Sequence, residues 1–257
     1  MKEKLIELTE NKGYFIARFK NEITSSVTFE FLEELIIILE LLRKKEGNNI
    51  LILKGSNGVF NLGGDLKMFL DVVENNESEK LIKYALFCVK IIDIMKTSYK
   101  DNLFIFSLIN GETRGGGFEA ALASNFIIGI KENVMSFPET KMGFFPGMGG
   151  FENLSLRVGI KEAKNILLSG DNFTVEELLE KNIIDYVIDK EENMYKIIKK
   201  IENDYIKNLS ILSIEDRMTN ITKEDLEHSV LLWVNNILNL SKLNIKMIKR
   251  IISKQNN

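Results

Sequence analysis

Two glycine-rich segments constrain the fold of this chain more than any other feature: GVFNLGGDL at residues 58–66 and RGGGFEAAL at residues 114–122. Each follows an apolar run typical of a buried strand, first Asn49–Lys54 and then Leu103–Ile109, and each leads towards a helical pattern. A third segment, FPETKMGFFPGMGG at residues 137–150, contains both prolines of the chain. Short apolar strands that alternate with helices predict an α/β fold with crossover connections.

The remaining apolar patterns complete this prediction. In the first half of the chain, further strands are expected at Tyr14–Phe19, Phe126–Ile130 and Val134–Phe137, and helices over Phe29–Lys45, Ser78–Lys96 and from about Phe118. After residue 150, helices are expected over Lys161–Leu168, Val175–Lys181, Met194–Ser210 and Lys223–Lys254, with one short strand at Ile183–Ile188. We therefore predict a core of residues 1–190, followed by a C-terminal helical region of residues 191–257 for core packing and subunit contact.

The composition excludes several classes of function. The chain has 257 residues, a net charge of −3, one cysteine and one histidine. A disulfide framework, a multi-cysteine metal site and a histidine-rich metal cluster are thereby excluded within one chain. The weak net charge gives no reason to expect a nucleic-acid or membrane partner. The sequence shows no secretory signal and no apolar run long enough to span a bilayer, so we expect a cytoplasmic location.

The glycines and two glutamates together suggest a chemistry. Backbone N–H groups of Gly64 and Gly116 could hold a carbonyl oxygen that gains negative charge, although glycines also serve simply in tight turns. Glu119 falls in the first turn of a predicted helix, where acids are favoured anyway, and Glu139 could be a solvated loop residue. Paired carboxylates beside such donors suit reversible hydration of an α,β-unsaturated thioester, or water attack on the thioester itself.

These segments resemble the crotonase (enoyl-CoA hydratase/isomerase) superfamily over essentially the whole chain. The family motifs G-x-D-[LI], G-G-G-x-E, a later P-E and P-G-x-G-G all occur in the right order, the last at Pro146–Gly150. The resemblance implies a crotonase-type ββα spiral core with a helical C-terminal region. It assigns the oxyanion hole to Gly64 and Gly116, and catalysis to Glu119 and Glu139. It also implies substrate contacts at Leu62, Gly63, Asp65, Leu66, Gly115, Gly147, Met148 and Trp233.

Within the superfamily, the chain is similar to the diffusible signal factor synthases. GVFNLGGDL, GGGFEAAL, FFPGMGG and the late helix that contains Trp233 match that subgroup. Such enzymes dehydrate a 3-hydroxyacyl chain on acyl carrier protein and hydrolyse the thioester, which releases a 2-enoic fatty acid. The chain departs from the subgroup in beginning close to its first predicted strand. Glu112 and Arg114 also replace the small apolar residues of ordinary hydratases, and Arg114 either contacts a carrier phosphate or points to solvent.

The basic residues of the last predicted helix are candidates for contact with the group that carries the acyl chain. Lys242, Lys246 and Arg250 recur every four residues. This spacing produces either a stripe that meets CoA phosphates or an acidic carrier protein, or an ordinary solvated helix face.

Several functions remain open at this level. The leading hypothesis is a dehydratase/hydratase for 3-hydroxyacyl and 2-enoyl chains on acyl carrier protein or CoA, with or without thioester hydrolysis. Its rivals are an ordinary enoyl-CoA hydratase, a polyketide-pathway dehydratase or decarboxylase, and a non-enzymatic RNA-binding or assembly protein. The resemblance implies no metal and no cofactor beyond the phosphopantetheine of the substrate, and a homotrimer or hexamer.

Overall fold

The structure, a computed structural model, describes residues 3–219 and 221–255 and contains two sheets. The larger sheet has six strands in the spatial order β1 (Ile6–Asn11), β2 (Tyr14–Phe19), β3 (Asn49–Lys54), β5 (Leu103–Ile109), β7 (Phe126–Ile130) and β10 (Tyr186–Ile188). The smaller sheet has the order β4 (Val59–Asn61), β6 (Glu112–Arg114), β8 (Val134–Ser136) and β9 (Asn172–Thr174). Only β1 and β9 run antiparallel to their neighbours within these sheets.

Within the described residues the α-helices are α1 (Phe29–Arg43), α2 (Leu66–Asn75), α3 (Ser78–Thr97), α4 (Gly116–Leu122), α5 (Glu139–Met142), α6 (Gly150–Ser169), α7 (Val175–Glu180), α8 (Met194–Asn203), α9 (Tyr205–Thr219), α10 (Lys223–Leu238) and α11 (Lys242–Gln255). None of the helices in those two ranges has both the length and the apolar character that a membrane crossing requires.

From β3 to β8, consecutive strands alternate between the two sheets. In β3–β4, β5–β6 and β7–β8, the first strand of each pair joins the larger sheet and the second joins the smaller one, and a helix follows. This repeat is the ββα spiral that the sequence resemblance implies, so the predicted fold class is confirmed. The β3 and β5 sequences, NILILK and LFIFSLI, are apolar almost throughout because both faces of the larger sheet are covered.

Helices cover the larger sheet on both faces. On one face α1 and α3 pack over β2 and β3, and α10 packs on α3. On the opposite face Phe104 and Phe106 of β5 pack with Ile198 and Ile201 of α8. The helices beyond residue 190 therefore pack on the same sheet core as the earlier ones, and a separate C-terminal region stays a prediction.

The structure corrects several predicted elements. The helix expected over Lys223–Lys254 is two helices, because Ser241 accepts a hydrogen bond from the Asn244 N–H (3.2 Å) and starts a new one. The helix expected over Met194–Ser210 likewise breaks at Asp204. The helix expected over Lys161–Leu168 begins at Gly150, and Gly159, at a φ of 79°, kinks it.

Six elements were not predicted: β1, β4, β6, β9, α2 and α5. Most are only three or four residues long, and therefore too short for a periodic pattern. The helix α2 did carry a signal, since the Asp65 carboxylate accepts hydrogen bonds from the N–H groups of Lys67 and Met68 as an N-cap.

Candidate active site

The three motif segments meet at one edge of the smaller sheet. The strands β4, β6 and β8 are parallel neighbours and end at Asn61, Arg114 and Ser136. Ligands of open α/β sheets commonly bind at the carboxyl ends of the strands, where the loops leave the sheet. The Gly115 N–H donates to the Ser136 carbonyl oxygen (2.9 Å), which joins the second segment to the third.

Gly64 and Gly116 present backbone N–H groups at one inner cavity. The N–H of the neighbouring Gly63 donates to Asn61 Oδ1 (2.8 Å), whereas the Gly64 N–H has no acceptor among the described residues. Gly116 is the first residue of α4, so its N–H is one that the helix itself cannot satisfy. A Cβ at Gly116 would lie 3.7 Å from the Gly64 nitrogen, which makes the two donors close neighbours. Together they can hold one carbonyl oxygen, as an oxyanion hole does.

Close packing explains why glycine is needed at two positions of this site. A Cβ at Gly64 would collide with the Phe69 ring, and a Cβ at Gly115 would collide with Glu139 Oε1. Gly115 also has a φ of 48°, in the region that residues with a Cβ rarely adopt. The glycines thus allow an aromatic ring and a carboxylate to approach the backbone closely.

The carboxylate of Glu119 is held at the start of α6. Glu119 Oε1 accepts hydrogen bonds from the N–H groups of Met148 (2.8 Å) and Gly150 (2.9 Å), and the residue is only 2% exposed. Burial raises the pKa of Glu119 to about 7, although the two N–H donors act in the lowering direction. The side chain is therefore fixed in place and titrates near neutral pH.

Glu139 is a buried residue of α5, not a solvated loop residue. It is 7% exposed, and its Oε2 has no hydrogen-bond partner among the described residues. Burial, and then the nearby charge of Glu119, raise the pKa of Glu139 to about 8. A buried carboxyl oxygen without a partner is a group available to a substrate or a water molecule.

The inner cavity extends from these groups into the apolar core and is narrow, with a free volume of about 60 Å³. At the site its wall includes an aromatic cluster in which Phe69 packs edge to face on Trp233, with ring centroids 5.2 Å apart, and on Phe144, at 6.5 Å. Cys88 also lines it, and burial raises the pKa of its thiol, which keeps the sulfur neutral.

A second cavity, the outer channel, leads to the same site. It is lined by Leu62, Leu66, Arg114 and Ile251, among others, and shares Gly64, Phe69, Glu139 and Phe144 with the inner cavity. Gly64 and Glu139 thus lie where the two cavities meet, and Gly116 and Glu119 line the inner cavity. A thioester placed there could direct its carrier arm into the outer channel and its acyl group into the inner cavity.

The predicted site residues take different positions around this junction. The inner cavity is lined by Gly64, Gly116, Glu119, Glu139, Met148 and Trp233, and the outer channel by Leu62, Leu66 and Gly115. Asp65 caps α2, and the Gly63 carbonyl accepts a hydrogen bond from the Val27 N–H (2.8 Å). Gly147 packs directly against the Trp233 side chain, where a Cβ would not fit. These last three residues, Gly63, Asp65 and Gly147, support the site from behind.

Two basic features lie near the outer channel. Arg114 lines it and forms an ion pair with Glu112, so its charge is partly compensated. The helix α11 contributes Ile251 to the channel wall, and its Lys242, Lys246 and Arg250 are exposed.

Sequence reasoning missed several residues of the site. Phe69 and Phe144 stand at the junction, Asn61 orients the first glycine loop, and Phe31 and Leu35 of α1 line the inner cavity. Predicting α2 from its Asp65 cap would have placed Phe69 one turn beyond Gly64. For the residues of α1 the sequence contains no such signal, because apolar helix residues look alike whether they face a cavity or a filled core.

Comparison with known proteins identifies the family. A sequence model of the enoyl-CoA hydratase/isomerase family matches residues 11–211. This match covers most of the chain, which therefore belongs to the enoyl-CoA hydratase/isomerase family. The superfamily resemblance inferred from the motifs is thereby confirmed.

Solved structures agree on the fold. The chain is similar to an enoyl-CoA hydratase/isomerase from Mycobacterium paratuberculosis, with a TM-score of 0.82, 14% identity and coverage of 96% of this chain and 98% of that one. It is also similar to an enoyl-CoA hydratase from Bacillus halodurans, with a TM-score of 0.80, 20% identity and coverage of 96% of this chain and 99% of that one. A third similar structure is a putative polyketide biosynthesis enoyl-CoA hydratase from Bacillus subtilis, with a TM-score of 0.74, 16% identity and coverage of 96% of each chain. At these identities the likeness extends to the fold alone.

Proposed function

We propose that this chain is an acyl-thioester hydratase/dehydratase that interconverts 3-hydroxyacyl and 2-enoyl chains. One observation carries the proposal: two buried glutamates with pKa values near neutrality line an apolar cavity together with Gly64 and Gly116, whose N–H groups have no acceptor among the described residues. Enzymes that exchange protons with carbon and water at neutral pH need an acid and a base tuned in this way.

In this mechanism the thioester carbonyl oxygen accepts hydrogen bonds from the N–H groups of Gly64 and Gly116. Hydration of the double bond at C3 pushes electron density onto that oxygen, so donors fixed beforehand stabilise the enolate without reorganising. Removal of one such donor typically costs on the order of 3 kcal/mol in the transition state.

The two glutamates divide the proton transfers according to their pKa. Glu119, with the lower pKa, is the ionised partner and removes a proton from the water that attacks C3. Glu139 is protonated at neutral pH and delivers its proton to C2. One proton has then moved from Glu139 to Glu119, and its return resets the pair. Dehydration follows the same steps in reverse.

We also propose, from the similarity to diffusible signal factor synthases, that the same site hydrolyses the thioester. Glu119 would remove a proton from the water that attacks the carbonyl carbon, and the tetrahedral oxyanion would accept hydrogen bonds from the same two N–H groups. As the C–S bond breaks, Glu139 would protonate the departing thiolate. The products are a free 2-enoic acid and the carrier thiol. The glutamate geometry supports this step because one base, one acid and one oxyanion site serve both reactions.

The carrier is proposed to be acyl carrier protein or CoA, both of which are anionic. The exposed lysines and arginine of α11 support this proposal, since that helix also forms part of the outer channel wall through Ile251. Charge complementarity of this kind speeds association and orients the partner.

Mass spectrometry after incubation with medium-chain 3-hydroxyacyl carrier protein tests the function. Free 2-enoic acid supports dehydration with hydrolysis, whereas a dehydrated chain that stays on the carrier limits the enzyme to the first step. Turnover of crotonyl-CoA alone would indicate an ordinary enoyl-CoA hydratase.

Substitution of the glutamates tests the mechanism. E119Q and E139Q should each lower kcat by about 10²- to 10⁴-fold, the usual contribution of a general acid or base. E180Q, at the exposed end of α7, is the control. If both site variants kept wild-type turnover, the assigned roles would be wrong whatever the fold.

We further propose that the chain self-associates through α9, consistent with the homotrimer or hexamer that the family resemblance implies. The helix packs on the sheet through Tyr205, Leu209 and Leu212, yet Ile206, Ile214 and Met218 on it are 78%, 58% and 81% exposed. Apolar residues concentrated on an exposed helix commonly mark a protein contact.

A further inference from the structure

The inner cavity has a definite end. On α3 its wall is formed by Tyr84, Cys88, Ile91 and Ile92. This helix flanks the site, since burial and then the nearby charge of Glu119 raise the pKa of the Cys88 thiol. Along α1 it is lined by Phe31 and Leu35 but not by Leu39, which lies one turn further and is completely buried. On α1 the cavity thus stops at the level of Leu35.

The larger sheet shows the same limit. Phe19 of β2 and Leu53 of β3 line the cavity, whereas Ala17 and Leu51, two positions earlier on the same faces, are buried but do not line it. Helix and sheet therefore close the cavity at a common depth.

The far end of the cavity accepts only apolar groups. Its wall there consists of Phe19, Phe31, Leu32, Leu35, Leu53 and Phe60. The polar groups of the wall lie elsewhere, and the Tyr84 hydroxyl is already satisfied because it donates to the Val27 carbonyl oxygen (2.8 Å). Cavities lined by such side chains stay dry and bind apolar molecules. With a free volume of about 60 Å³, the cavity favours a slender, unbranched chain over a bulky group.

We infer that the cavity holds an unbranched acyl chain whose methyl end meets Leu35, and that Leu35 sets the longest chain the protein accepts. This inference rests on the proposed function for the position of the thioester between Gly64 and Gly116. It adds the class of acyl chain and the residue that selects it.

Trp233 allows a binding test that does not depend on turnover. It is the only tryptophan of the chain and lines the inner cavity, so its fluorescence reports occupation directly. The probes are 2-oxoalkyl-CoA thioethers, in which a methylene group stands between the sulfur and the carbonyl carbon, with chains from butanoyl to hexadecanoyl length. Because they cannot be hydrolysed or dehydrated, they measure binding alone. Affinity of the wild type should rise by about fourfold per added methylene, and then fall once the chain exceeds the cavity.

Substitutions at Leu35 should move this limit in opposite directions. L35F should shorten the longest accepted chain by at least one two-carbon step and weaken that ligand by 10-fold or more, with little change for the butanoyl probe. L35A should admit a chain at least two carbons longer. The two variants fail in different ways, so loss of folding in one leaves the other informative.

Leu39 provides the matched control. L39A removes the same side chain from the same helix, one turn beyond the end of the cavity, and should lower stability without moving the chain-length limit. An unchanged limit in L35F and L35A, or the same shift in L39A, would overturn the inference. Activity assays distinguish failure of this inference from failure of the proposed function. If the chain-length limit changes with Leu35 but the protein does not turn over thioesters, the inference holds and the proposed function is wrong.

Discussion

Two carboxyl groups that are buried in one cavity cannot both carry a charge at low cost, and this fact governs Glu119 and Glu139. Burial raises both pKa values, to about 7 and about 8, and the charge of Glu119 contributes to the second. The pair is therefore best described as one unit that gains and loses two protons in coupled steps.

The pair predicts the pH dependence of activity. Hydration requires one ionised and one protonated carboxyl, so kcat should be greatest between about pH 7 and pH 8 and decline on both sides. Below this window the base is protonated, and above it the acid is lost. A steady-state profile from pH 5 to pH 10 on 2-enoyl substrate checks this; a plateau that extends from pH 5 would contradict it.

The same two glutamates should make folding stability depend on pH, and this stability should fall as the pH rises. Both folded-state pKa values lie above the ordinary glutamate value, so the native chain binds more protons than the unfolded chain between about pH 4.5 and pH 8. The free energy of unfolding contributed by these groups is fully present below that window and is lost as the pH rises through it. E139Q cannot ionise, so its Tm relative to the wild type should increase from pH 5 to pH 8.

Thermal unfolding of the wild type and E139Q at both pH values is the measurement. A difference in Tm that does not change with pH would show that Glu139 does not titrate in this range. A variant that is inactive yet more stable at pH 8 would identify Glu139 as a residue kept for function at a cost in stability.

At the scale of the element, α4 offers a way to remove a single backbone donor. Gly116 is its first residue, the position where proline is best tolerated in a helix. G116P lacks the N–H and should lower kcat by about 10²- to 10³-fold. G116A keeps the N–H, and its Cβ would meet its nearest neighbour, the Gly63 Cα, at an ordinary 3.6 Å, so it should stay within a few-fold of the wild type.

Circular dichroism and turnover of both variants complete this test. If folded G116P and G116A lost the same factor in kcat, the shape of the backbone at this position, and not the N–H donor, would be what matters.

The accuracy of the element prediction depended on length and burial. Strands β2, β3, β5 and β7 were predicted with the bounds that the structure has, because each combines a long apolar run with flanking polar or turn residues. The three-residue strands β4, β6, β8 and β9 owe their conformation to pairing with each other. Only β8 was approximated by the sequence pattern, which could not detect the other three.

At the scale of the molecule, self-association through α9 is open to a direct test. I214E places a charge on the exposed apolar residues of that helix and should shift the protein towards monomer in sedimentation velocity. L243E places the same charge on α11, where Leu243 is 71% exposed, and should leave the assembly unchanged. A wild type that sediments as a monomer at all concentrations would contradict the proposal.

Sequence alone was enough to predict strands β2, β3, β5 and β7, the glycine loops, the two glutamates and the family, because these depend on local periodicity and on residues that stand close to one another in the chain. Only the packed structure reveals that Glu139 is buried, that the Glu119 carboxylate is held at the start of α6, and that the cavity ends at Leu35. Burial, pKa and cavity depth arise from elements distant in sequence that pack together. A local sequence pattern cannot predict burial, pKa or cavity depth, because the same apolar helix face can close a core or line a binding site.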